Sequence, residues 1–141
     1  MSKPVLQLRR FYSASREEIF AAWTEPEKMR EWLCPDGATI SFIQIDLRVG
    51  GSFRIDMRSE HGTHPHTGEY REIIWPEKLV FSWSSINTGH KETLVTVELI
   101  EHGAQTELVL THEGLPDKKA QEMHTTGWNS ILDRLSSQVI P

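Results

Sequence analysis

The chain has 141 residues, of which 38% are hydrophobic and 25% charged, enough for one domain with a real core. Twenty acidic against fifteen basic side chains give a formal charge of −5, and no Lys/Arg-rich run offsets it, so nucleic acid is not an expected partner. No apolar run approaches a membrane span or a signal region, and the single cysteine, Cys34, excludes an intrachain disulfide framework; a reduced, cytoplasmic setting without membrane association is expected.

The elements follow in order. Leu6 and Leu8 alternate with polar neighbours across Val5 to Tyr12, which predicts a first strand. Ser15 and Glu18 have capping-box spacing at the start of a short helix carrying Ile19, Phe20 and Trp23 on one face. A second short helix is expected directly after it. Thr24 and Glu27 repeat the capping-box spacing, Pro26 falls in the first turn, and Met29, Trp32 and Leu33 form an apolar stripe.

Thr39 to Val49 reads as β-rich, with Ile43, Ile45 and Leu47 alternating up to the Gly50-Gly51 break. Phe53, Ile55 and Met57 then alternate with Arg54, Asp56 and Arg58, the pattern of a half-buried strand. Ser59 to Thr67 is polar and holds His61, His64 and His66, so an exposed loop is expected there. Gly68 to Ile74, the Leu79-Phe81-Trp83 row, the Val95-Val97-Leu99 row and the Leu108-Leu110-His112 row read as four further strands with turns between.

From Asp117 to Val139, Ala120, Met123, Gly127, Trp128, Ile131, Leu132, Leu135 and Val139 build the longest apolar stripe in the chain. Asp117 is placed to cap it, giving a helix of roughly six turns. Gly127 lies mid-helix, where it costs about 1 kcal/mol relative to Ala, and close packing against the sheet is its expected reason. Residues 1–141 therefore predict one α+β domain. A curved antiparallel sheet of about seven strands wraps the long C-terminal helix, and two short helices follow the first strand.

Three groups of residues invite a chemical reading. The His61-x2-His64-x-His66 spacing matches no closed metal site, and no fourth ligand stands nearby, so no metal is expected. Cys34 follows the C-terminal end of a helix, the wrong pole for stabilising a thiolate, and reads as a structural thiol. His112 and His124, with Tyr70 and Glu72, could converge on an apolar space between helix and sheet. There they would orient a ligand rather than carry out catalysis.

Several short segments, taken in order, resemble one known family. Ile19-Phe20-Ala21-Ala22-Trp23-Thr24 with Pro26 and Trp32, then Asp46-Leu47-Arg48-Val49-Gly50-Gly51-Ser52-Phe53, carry the first part of the likeness. Gly68-Glu69-Tyr70-Arg71-Glu72-Ile73, Leu79-Val80-Phe81-Ser82-Trp83, Leu110-Thr111-His112-Glu113-Gly114 and Gly127-Trp128 complete it. Together they resemble START-like, helix-grip domains, in particular the group related to the C-terminal domain of the 90-kDa heat-shock-protein ATPase activator. The resemblance implies the fold and a pocket between sheet and C-terminal helix, but no reaction and no cofactor.

The expected function is non-enzymatic binding of a small, mainly hydrophobic molecule. The pocket would be walled by Trp32, Phe53, Ile55, Phe81, Trp83, Leu110, Met123, Trp128 and Leu132, with Tyr70, Glu72, His112 and His124 as its polar points. A module that assists a 90-kDa heat-shock-protein-type chaperone is the first alternative. A cyclase- or hydratase-like enzyme using the same pocket is the second.

Overall fold

The computed structural model describes residues 5–139. The alternating apolar rows become seven antiparallel strands: β1 (Val5–Tyr12), β2 (Thr39–Ile45), β3 (Ser52–Ser59), β4 (Gly62–Ile74), β5 (Lys78–Trp83), β6 (Thr93–His102) and β7 (Gln105–Glu113). They form one curved sheet in the order β1-β7-β6-β5-β4-β3-β2, so the first strand closes one edge beside the last. Helices α1 (Arg16–Thr24) and α2 (Pro26–Trp32) fill the crossing from β1 to β2, and α3 (Lys118–Ser136) ends the fold.

Each helix end has a local cause. Ser15 accepts a hydrogen bond from the Glu18 backbone N–H at 3.2 Å and starts α1. At α2 the expected Thr24 cap does not form. Thr24 instead donates its hydroxyl hydrogen back to the Phe20 carbonyl at 2.9 Å, Glu25 takes the cap position without a side-chain bond, and Pro26 opens the helix. Asp117 accepts from the Ala120 N–H at 2.8 Å and starts α3. Arg134 of α3 donates to the carbonyls of Glu31, Cys34 and Pro35, which closes the C-terminal end of α2 and ties the two helices together.

Helix α3 lies against the concave face of the sheet. Trp128, Ile131, Leu132 and Leu135 are buried, and burying a side chain of this size contributes about 1.5–3 kcal/mol. Polar ties hold its position. The Tyr12 hydroxyl donates to the Leu132 carbonyl at 2.9 Å, and Arg10 bonds to Asn129 at 2.7 Å and to Asp133. Burial raises the Tyr12 hydroxyl far above its ordinary pKa, so it remains a donor.

Three local departures from the expected fold bear on the site. First, the histidine-rich stretch is not a loop. Strand β4 begins at Gly62, directly after a two-residue turn, and His64 and His66 pair with Met57 and Ile55 on the inward face. Polar composition hides this alternation. Pro65 is tolerated because this half of β4 runs past the end of β5 and has β3 alone as a full neighbour.

Second, a bulge falls between Tyr70 and Glu72: Tyr70 pairs with Phe81 and Glu72 with Val80, leaving Arg71 extra. Tyr70 stays buried inside, while Glu72 turns outward and pairs with Lys78 at 3.6 Å. Third, β2 stops at Ile45, and Leu47 and Val49 are exposed in the turn before β3 instead of extending the inward row. Among the described residues no helix is long and apolar enough to cross a membrane.

Candidate functional site

Among the described residues, one space lies between the sheet and the two short helices, and another between the sheet and α3. The inner one is a void of about 10 Å³ among Phe53, Ile55, Tyr70, Phe81, Trp83 and Trp23, room for a single water at most. The indole N–H of Trp23 is buried beside it without a hydrogen-bond partner. The outer one is an open cleft of about 140 Å³ at the mouth of the helix–sheet junction. Trp83 and Trp128 form its aromatic floor, with ring centroids 5.4 Å apart. Met123, Gly127 and Ile131 of α3 supply one wall, and His66 of β4 the other. Pro35, Asn87 and His124 complete the rim.

A buried hydrogen-bond chain fixes the floor. The Trp128 indole N–H donates to Nδ1 of His112 at 3.0 Å, so Nε2 of His112 carries its one proton. That Nε2 lies 2.7 Å from the Thr93 hydroxyl, which in turn donates to the Trp83 carbonyl at 2.6 Å. The side-chain polar atoms of Trp128, His112 and Thr93 are all satisfied. Burial, with His124 close by, pushes the His112 pKa down to about 3, so the ring is neutral.

The other two histidines face the cleft. His66 packs against Trp83 with centroids 5.1 Å apart and the rings tilted by 46°, and its Nδ1 donates to the His64 carbonyl at 3.0 Å. His124 meets His112 edge-on at 5.0 Å, and its Nδ1 donates to the Ala120 carbonyl at 2.8 Å. A carbonyl only accepts, so Nδ1 holds the proton in both rings and Nε2 presents a lone pair. Burial lowers both pKa values, that of His66 to about 4.

The residues anticipated from sequence divide accordingly. Trp83, Met123, His124 and Trp128 line the cleft, and Phe53, Ile55, Tyr70 and Phe81 line the small inner void. Leu110 and Leu132 are wholly buried in the core. Trp32 is also fully buried, and its indole N–H donates to the Ala22 carbonyl at 3.1 Å. His112 sits beneath the cleft as part of its support, and Glu72 points to solvent.

Pro35, His66, Asn87, Gly127 and Ile131 also line the cleft and are not among the site residues expected from sequence. The alternation His64–His66–Gly68–Tyr70 was the available signal for His66. Gly127 is a correction of another kind, because nothing lies within 4 Å of where its Cβ would be. Close packing is therefore not its role; it leaves the cleft wall open.

A curved seven-stranded antiparallel sheet gripping a long C-terminal helix, with an aromatic cleft at their junction, defines a helix-grip domain of the START-like kind. The family model described as "Activator of Hsp90 ATPase homolog 1-like protein" matches residues 13–139, and the chain belongs to that family. A crystal structure from Chromobacterium violaceum is similar over 97% of this chain and 97% of that one, at 26% identity and a TM-score of 0.90. One from Rhodobacter sphaeroides covers 97% and 93%, at 25% identity and a TM-score of 0.83. The structure of an HSP90 activator from Plasmodium falciparum covers 95% and 94%, at 26% identity and a TM-score of 0.75. No curated protein matches the chain.

Proposed function

We propose that the protein binds a small, mainly hydrophobic molecule at the junction of sheet and C-terminal helix, without catalysing a reaction on it. The supporting observation is the 140 Å³ cleft floored by Trp83 and Trp128. It comes close to the roughly 150 Å³ cavity known to accommodate a benzene-sized guest. The cyclase or hydratase alternative would use His112, Glu72 or Tyr70, but His112 has both ring nitrogens engaged and Glu72 faces solvent. The setting proposed is cytoplasmic, in keeping with a single buried thiol at Cys34.

The uncharged dye N-phenyl-1-naphthylamine tests the reading. Its emission should rise on binding and tryptophan emission should fall, since two indoles floor the cleft. Gly127→Leu, which fills the wall, should abolish the signal while the far-ultraviolet spectrum stays native. An unchanged signal in that variant, or no signal in wild type, would count against the cleft as the site.

A second reading is an accessory role beside a 90-kDa heat-shock-protein-type chaperone. The similarity to the Plasmodium falciparum HSP90 activator favours it. Stimulation of the chaperone's ATPase by the purified protein is its test, and stimulation that survives Gly127→Leu would separate this role from ligand binding.

A further inference from the structure

Resting on the small-molecule reading, the ligand's chemical class can be narrowed from the polar groups that the cleft presents. No Asp, Glu, Lys or Arg is among the residues lining it. A carboxylate, phosphate or ammonium group would therefore lose its hydration there without an opposite charge to replace it, which is a large cost. The two imidazoles that line the cleft offer only acceptors. His124 and His66 have each committed the Nδ1 proton to a backbone carbonyl, at 2.8 Å and 3.0 Å, which leaves Nε2 as the acceptor of each neutral ring, with the Ile55 backbone also close to the His66 ring.

An acceptor facing a cleft is satisfied by a ligand that donates. The floor sets the other half of the specificity. Trp83 and Trp128, inclined to each other at 47°, with the His66 ring inclined at 46° to Trp83, give an aromatic guest ring faces and edges to pack against. The volume, about 140 Å³, encloses one six-membered ring, and a larger guest such as the naphthylamine dye would leave its remaining rings projecting through the open mouth. Asn87 on the rim carries both an amide N–H and a carbonyl, so it can donate to a hydroxyl oxygen that is itself donating to a histidine.

We propose that the cleft takes an uncharged single-ring aromatic bearing a hydroxyl or amino group, a phenol or an aniline, whose O–H or N–H donates to Nε2 of His124 or His66. Phenol satisfies all three constraints. Toluene satisfies shape and lacks the donor, and benzoate has the ring but carries the excluded charge.

Titration of the intact protein with phenol, toluene and benzoate at pH 7.5, followed by tryptophan emission and by ligand-observed NMR, separates the terms. Phenol should bind about tenfold more tightly than toluene, the effect of one well-made hydrogen bond, and benzoate should not bind measurably. His124→Phe and His66→Phe retain an aromatic ring and remove an acceptor. At least one should bring phenol down to the affinity of toluene while leaving toluene unchanged.

Equal affinity for phenol and toluene in wild type would overturn the donor inference and leave the hydrophobic-ligand reading intact. Tight benzoate binding would overturn the exclusion of charge. If N-phenyl-1-naphthylamine binds and none of the three rings does, the inferred ligand class fails alone. If neither the dye nor any ring binds, the underlying reading fails with it.

Discussion

Trp128 on the last helix donates its indole N–H to Nδ1 of His112 on the last strand at 3.0 Å, both side chains being buried. This one bond fixes the tautomer of the histidine, directs its remaining proton to Thr93, and registers α3 on the sheet. Trp128→Phe preserves most of the packing and leaves a buried acceptor unmet. A loss of about 1–3 kcal/mol is expected in urea unfolding. Wild-type stability in this variant would show that the bond contributes nothing net.

Stability should fall as pH drops from 7 to 5. His112 titrates near 6.5 when unfolded and near 3 when folded, and His66 is lowered to about 4. Between these values the unfolded chain binds more protons than the native one, so the slope of unfolding free energy against pH is positive. Stability is fully present above about 6.5 and is lost as pH falls toward the folded values. His112→Gln should flatten the slope of melting temperature against pH. A flat wild-type profile from pH 7 to 5 would contradict the neutral, buried state of these rings.

Gly127→Ala should stabilise the protein by up to about 1 kcal/mol, since Ala is the better helix former and its methyl meets no atom within 4 Å. Chemical denaturation measures this directly, and a destabilised variant would show that the wall is more crowded than the geometry indicates.

Gly68→Ala should do the opposite. A Cβ at Gly68 would overlap the Ser82 carbonyl oxygen and the Phe53 ring, on two different neighbouring strands. Overpacking of this kind costs about 3 kcal/mol when backbone has to move. A soluble variant with an unchanged melting temperature would contradict it.

Arg134 makes a further test possible, because its Nη1 lies 3.3 Å from the Cys34 sulfur and bonds to the Cys34 and Pro35 carbonyls, while its Nη2 bonds to the Glu31 carbonyl at the end of α2. Burial raises the Cys34 thiol pKa, and the side chain is wholly enclosed, so maleimide labelling of the native protein should be slow. Arg134→Ala frees the helix end and should speed labelling several-fold. Rapid labelling of wild type would contradict the enclosure.

Much of the fold was legible because each strand carries its own period. Phe53–Ile55–Met57 and Val95–Val97–Leu99 point inward as their alternation requires, and α3 follows its 3.6-residue stripe from the Asp117 cap. The site was less legible, and for specific reasons. Glu72 was assigned inward by counting twos from Tyr70, and one extra residue at the bulge reverses that parity.

His66 was masked by its polar neighbours, although it continues the inward row that ends at Tyr70. Trp32 and Leu132 share their helices' apolar faces, but periodicity does not tell which member of a face reaches a cavity. Gly127 shows the same limit: a glycine in a helix indicates that a side chain is absent, and not whether protein or open space takes its place.

Trp83 is the one side chain that borders both the 10 Å³ void and the 140 Å³ cleft. It works as a partition wall between two rooms. Replacing it with leucine would join the rooms into one chamber running from the rim to Tyr70, with the strand ladders on either side untouched. The bulk of Trp83 thus keeps the two spaces apart, and a single substitution there would change guest size while keeping the sheet, the helix and the cleft histidines.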